Sequence, residues 1–173
     1  MAKPLANGYP IGAVMMREAV AQAMSVGKHG NLFFETSNIL TPVSGTHGTT
    51  FGGSPLACAL GYHVLQRISD EAFVSSVKEN SNYLNERLVQ MAKWFPKILQ
   101  PDVRGRGLIL GMGFHDESLP SQMVSLARER GVLILTAGKD AVRLVPSLNI
   151  RREEVEFAAD VLESCLAVVK NSK

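Results

Sequence analysis

Between Val103 and His115 the chain reads Val103-Arg104-Gly105-Arg106-Gly107-Leu108-Ile109-Leu110-Gly111-Met112-Gly113-Phe114-His115, and no other stretch limits its fold as strictly. Glycine at 105, 107, 111 and 113 weakens any helix there, because each loses more backbone entropy on folding than any other residue. The apolar residues set between them suit a pair of strands whose backbones approach closely. The glycine spacing also resembles a dinucleotide fingerprint, but no helix follows to receive a phosphate, so the run reads as structural. Downstream, Ser121 to Arg130 is expected to be a helix closed by Gly131. Val132 to Leu135 and Ala141 to Val145 read as strands joined by a turn at Gly138-Lys139-Asp140. A last helix, Arg151 to Lys170, carries Val155, Ala158, Ala159, Leu162, Leu166 and Val169 on one side. From about residue 70 these elements make an α+β domain of two or three layers.

The preceding segment is punctuated differently. Two prolines and two glycines between positions 4 and 12 favour an irregular loop, and Arg17 to Val26 then reads as a short helix with Ala19, Val20, Ala23 and Met24 on its apolar face. Ser54-Pro55 looks like a helix start, with serine at the cap and proline at the first helical position. The apolar run Leu56 to Ile68 is expected to be a buried helix. Ser69-Asp70-Glu71 breaks it, and Phe73, Val77, Leu84, Leu88 and Met91 mark an amphipathic helix ending before Pro96. These two helices are expected to join a larger domain, 1–69, to a smaller one, 70–173.

Composition narrows the chemistry. The 18 basic and 16 acidic residues leave a net charge of +2, with no basic run interleaved with aromatics, which argues against nucleic-acid binding. Cys58 and Cys165 stand far apart, without metal-ligand spacing, so neither a disulfide framework nor a zinc site is indicated and a reducing compartment fits. His29, His47, His63 and His115 form no i, i+4 pair with Asp or Glu that would suggest a metal. No apolar run approaches the roughly 20 residues of a membrane span, and no targeting segment follows Met1.

Three places carry candidate chemistry. Lys3 opens a proline- and glycine-rich loop, Ala2-Lys3-Pro4-Leu5-Ala6-Asn7-Gly8-Tyr9-Pro10-Ile11-Gly12-Ala13. An ordinary lysine, with a pKa of about 10.4, is mostly charged at neutral pH and unready for Schiff-base formation. Burial beside apolar or cationic groups frees its lone pair. His47-Gly48-Thr49-Thr50-Phe51-Gly52-Gly53 offers hydroxyls and unobstructed backbone N–H groups suited to a phosphate ester. Arg143, in Val142-Arg143-Leu144-Val145-Pro146-Ser147-Leu148, brings a guanidinium fork that matches a carboxylate. By contrast, Ala137-Gly138-Lys139-Asp140 lacks the glycine spacing and the hydroxyl of a phosphate-binding loop and reads as a turn.

Taken together, these motifs resemble the class III pyridoxal-phosphate-dependent aminotransferases, nearest their acetylornithine branch. The resemblance implies an α/β fold of type I, with the end of the large domain followed by the α+β small domain, and pyridoxal 5'-phosphate as cofactor. It implies that Lys3 holds the cofactor covalently and acts as general base, that Thr50 contacts the cofactor phosphate across a homodimer interface, that Thr49 lies near the substrate, and that Arg143 clamps the substrate carboxylate. The implied reaction moves the δ-amino group of N-acetylornithine to 2-oxoglutarate, as in arginine biosynthesis, with ornithine or 4-aminobutyrate as alternative donors. The implied site is the mitochondrial matrix in a eukaryote and the cytoplasm otherwise.

Two departures stand out. A chain that begins almost on its lysine reads as a C-terminal fragment, expected to be weakly active or inactive alone, or a non-catalytic remnant. Residues 28–45 interrupt the family pattern, since Ser25-Val26-Gly27 would otherwise run directly into Thr46-His47-Gly48-Thr49-Thr50. Gly27-Lys28, Ser37-Asn38 and Ser44-Gly45 can be encoded with splice-site and branch-point sequences, and the insert keeps the reading frame. A translated intron and a true loop insertion at the dimer interface are the two readings of it.

Overall fold

The computed structural model describes residues 3–23 and 50–171. Thr49, His47 and the 28–45 insertion lie outside the described residues, as do the side chains of Lys3 and Pro4. The chain divides into two compact units, Met1–Asp70 and Glu71–Lys173.

In the first unit, a 3-10 turn at Lys3–Ala6 is followed by helix α1 (Glu18–Ala23) and helix α2 (Pro55–Ile68). Asn7 and Gly8, both at positive φ (51° and 99°), turn the chain sharply after the 3-10 turn, and the Tyr9 N–H donates back to the Ala6 carbonyl at 3.2 Å. The Lys3–Ala6 turn packs on α2. Two findings differ from the sequence-based expectations here. Ser54 and Pro55 do start α2, but the Ser54 hydroxyl makes no capping hydrogen bond; its carbonyl takes the first helical bond, from the Cys58 N–H at 2.9 Å. The apolar run of α2 is also not a buried helix in this chain. Only Ala57 and Gly61 are buried, on the side facing the Lys3 turn, while Leu56, Leu60, Tyr62 and Leu65 stand exposed. A run apolar on every side fits a helix covered on every side, and here the turn covers one.

The second unit begins with helix α3 (Glu71–Trp94) and continues through strands β1 (Leu99–Arg106) and β2 (Ile109–Phe114), helix α4 (Leu119–Glu129), strands β3 (Leu135–Ala137) and β4 (Ala141–Leu144), and helix α5 (Arg152–Asn171). The four strands form one antiparallel sheet in the order β1-β2-β4-β3. Leu110, Met112 and Phe114 of β2 and Val142 and Leu144 of β4 point to one face. There they join a single apolar cluster with Leu84, Leu88 and Met91 of α3, Met123 and Ala127 of α4, and Val155, Ala159, Leu162, Leu166 and Val169 of α5. The unit therefore has two layers, helices on one side of an antiparallel sheet. The exposed residues of the strands mark the sheet's other face.

Glycines act as the glycine-rich run foretells. Gly105, at φ 123°, lies so close to the opposing strand that a Cβ would collide with the Ile109 carbonyl. Gly131 (φ 83°) ends α4 in a Schellman motif, its own N–H bonding the Arg128 carbonyl at 3.1 Å and the Val132 N–H bonding Ala127 at 2.9 Å. That closure occupies Val132, and the strand expected at 132–135 starts only at Leu135. At the other end, the Arg151 N–H donates to the Glu154 carboxylate at 2.8 Å, half of a capping box at the start of α5.

Candidate active site

The lysine loop is held against α2 by close contacts. Gly61 brings the α2 backbone against it: a Cβ there would sit 3.3 Å from Ile11 Cδ1 and 3.8 Å from the Leu5 carbonyl. Ala57, one turn earlier, and Ala6 in the loop are both buried. Small residues at positions i and i+4 of a helix let a second segment lie close along one face, and here they seat the turn that carries Lys3.

The same helix receives the threonine-glycine segment. Thr50 is exposed and opens a turn through Gly53, where φ reaches 69° and the Ser54 N–H donates to the Phe51 carbonyl at 3.2 Å. No described atom lies within 4 Å of a Cβ built on Gly53. A helix of 14 residues places unsatisfied N–H groups and a partial positive charge at its N-terminus. Lys3 and Thr50 thus share one supporting element, α2.

Arg143 belongs to the second unit. Its neighbours Val142 and Leu144 are buried, and Arg143 itself is exposed on the opposite face of β4. Because β4 is an inner strand, Arg143 is paired in register with Gly111 on one side and Leu135 on the other. Its side chain makes no hydrogen bond or ion pair among the described residues, which leaves the guanidinium fork available.

Sequence reasoning missed the polar cluster beside it. Gln100 Nε2 donates to the Phe114 carbonyl at 2.8 Å and to Asp140 Oδ2 at 3.0 Å. Arg104 donates to Asp140 Oδ2 at 3.3 Å and to the Gln100 side-chain oxygen. The Gln100 amide, and after it the Arg104 guanidinium, hold the Asp140 carboxyl below the usual carboxylate range. Gly113 is what lets Gln100 cross the sheet, since a Cβ there would run into the Gln100 amide. Gln100 and Arg104 share β1, whereas Asp140 lies some way along the chain and is brought to them by the strand register. The glycine-rich run that includes Gly113 is the sequence signal that pointed to a close approach on this strand.

Comparison with known proteins follows the same outline. The model of the class-III aminotransferase family matches residues 1–166. The mitochondrial acetylornithine aminotransferase of Saccharomyces cerevisiae is 39% identical over 97% of this chain, and that of Yarrowia lipolytica 38% identical over 96%. In each case the match covers 35% of the relative, so the chain spans about a third of the length of these curated relatives. Among solved structures, the ornithine aminotransferase of Toxoplasma gondii, which shows partial occupancy of pyridoxal phosphate at its active site, superposes with a TM-score of 0.75 and 28% identity, covering 98% of this chain and 36% of that one. The N-acetylornithine aminotransferase of Stenotrophomonas maltophilia superposes with a TM-score of 0.61 and 30% identity, covering 75% of this chain and 36% of that one.

Proposed function

The chain belongs to the class-III aminotransferase family, and from that premise we propose that it carries the C-terminal part of a pyridoxal-phosphate-dependent transaminase acting on N-acetylornithine and 2-oxoglutarate. The observation that carries this reading is the 39% identity to a named acetylornithine aminotransferase sustained over 97% of the chain. The same relatives are named mitochondrial, which supports the mitochondrial matrix as its location. The likeness to the ornithine aminotransferase fold keeps ornithine as the alternative donor, with 4-aminobutyrate behind it. In this reading the active site is completed in a homodimer, with Thr50 serving the partner's cofactor.

The residues present fit pyridoxal phosphate. Thr50 stands exposed in the glycine turn before the N-terminus of α2, a setting with the hydroxyl, the backbone donors and the partial positive charge that the phosphate of the partner's cofactor requires, and the turn that carries Lys3 packs on the same helix. When bound, the cofactor supplies the electron-withdrawing ring that acidifies the C–H beside the substrate nitrogen. The rest falls to the protein. Lys3 Nζ holds the cofactor and then carries the proton at that carbon. Thr50 Oγ1 donates to the phosphate, Thr49 lines the substrate, and the Arg143 guanidinium donates two parallel hydrogen bonds to the substrate carboxylate.

A second reading makes the chain a non-catalytic aminotransferase module. Absorbance of the purified chain with pyridoxal phosphate, before and after borohydride, separates the two. The transaminase reading expects a cofactor band that borohydride fixes to the protein and that Lys3→Ala abolishes. Labelling that persists in Lys3→Ala, or no labelling at all, leaves the non-catalytic reading standing.

A further inference from the structure

Across the open face of the sheet, Arg104, Gly111, Arg143 and Leu135 lie in one row, each paired in register with the next. Directly opposed residues on neighbouring strands point the same way, so the two arginines rise from a common floor, their backbones about 10 Å apart with one strand between them. Gly111 leaves the ground between them bare. Two free guanidinium groups at that spacing would make a site for two negative charges, yet the structure treats them differently. Arg104 is engaged by Asp140 and Gln100, whereas Arg143 has no side-chain partner among the described residues. Asp140 is itself firmly placed: its carboxylate accepts from Gln100 and Arg104, and its carbonyl accepts the Phe114 N–H at 2.7 Å.

We propose that Asp140 is a specificity-determining residue, which neutralises Arg104 so that this face presents Arg143 as a one-carboxylate site. The inference rests on Arg143 being the carboxylate-binding residue. Its consequence is that the second carboxylate of a dicarboxylic substrate such as 2-oxoglutarate is held away from this sheet. Arg106 and Lys139, both exposed near the row, form a constant background that cancels when variants are compared.

The test uses the 173-residue chain, acetate and glutarate as one- and two-carboxylate probes, and phenylglyoxal modification of Arg143 quantified by peptide mass spectrometry. Both probes should protect Arg143, and the ratio of their effective concentrations is the quantity read. Asp140→Asn frees Arg104 and should raise the preference for glutarate about two- to threefold at low ionic strength, an effect that shrinks with added salt. Arg104→Gln leaves Asp140 unpaired and should lower that preference by a similar factor, while the double variant should restore the original ratio. A merely structural role would move both single variants in the same direction, and that result, or an unchanged ratio, overturns the inference. If Asp140→Asn does not fold, the fall expected in Arg104→Gln decides the matter alone. If neither carboxylate protects Arg143 in the unsubstituted chain, the reading of Arg143 itself fails and takes the inference with it.

Discussion

Asn80 shows how much one side chain can set. It lies in α3 within the polar run Glu79-Asn80-Ser81-Asn82, yet Asn80 is only 7% exposed and its Nδ2 donates to the Ile150 carbonyl at 2.8 Å. That bond ties α3 to the loop leaving β4, the strand that carries Arg143. Truncation to alanine removes the donor and strands a carbonyl, so Asn80→Ala should cost about 1–3 kcal/mol, read as a lower urea midpoint with an unchanged m-value. An unshifted midpoint would mean that water replaces the amide without loss. Asn80 was not legible as a structural residue because its partner is 70 positions away. Lys3, Thr50 and Arg143 stood out because each sits in a short motif that resembles one of the family's, not because spacing or composition alone singles it out.

Among the elements, those governed by near neighbours were the most legible. The α3 stripe ending at Met91 and the glycine closing α4 depend on spacings within a few residues, and both form as read. Helix α2 was misread because its run of apolar residues does not say which side is covered; the two small residues, Ala57 and Gly61, are the ones that matter. Gly61→Leu tests this. A side chain growing from a Cβ already 3.3 Å from Ile11 should push the lysine turn off the helix. Borohydride-fixed pyridoxal phosphate on Lys3 should fall severalfold while the circular dichroism of the helices is retained. Labelling equal to that of the unsubstituted chain would show that α2 does not position the lysine. The Gln100, Arg104 and Asp140 cluster escaped sequence reading for a different reason, since a β-bulge or irregularity between Leu99 and Val103 alters the register on which it depends.

At the scale of the whole molecule, part of the response to acid can be assigned to the second unit. Asp140 and Glu154 both belong to the second unit, and each has its carboxyl lowered, by Gln100 and then Arg104 in one case and by Arg151 in the other. A depressed folded-state value means that the unfolded chain takes up the proton first. The stability these groups contribute is therefore complete above their ordinary values of about 4 and is lost as pH falls through the depressed ones. The chain's one tryptophan, Trp94, ends α3 and reports on this unit. Its urea midpoint should decline on the acid side, and Asp140→Asn combined with Glu154→Gln should flatten the decline; an equally steep acid limb in the double variant would assign it to other groups. Finally, β4 lies between β2 and β3, so the peptide units on either side of Arg143 are already ordered by strands on both edges. An anion arriving there meets a backbone with almost no freedom left to surrender. The entropy lost on capture is then confined to the arginine's own rotamers, which favours fast seating of the ligand over any slow rearrangement of the sheet.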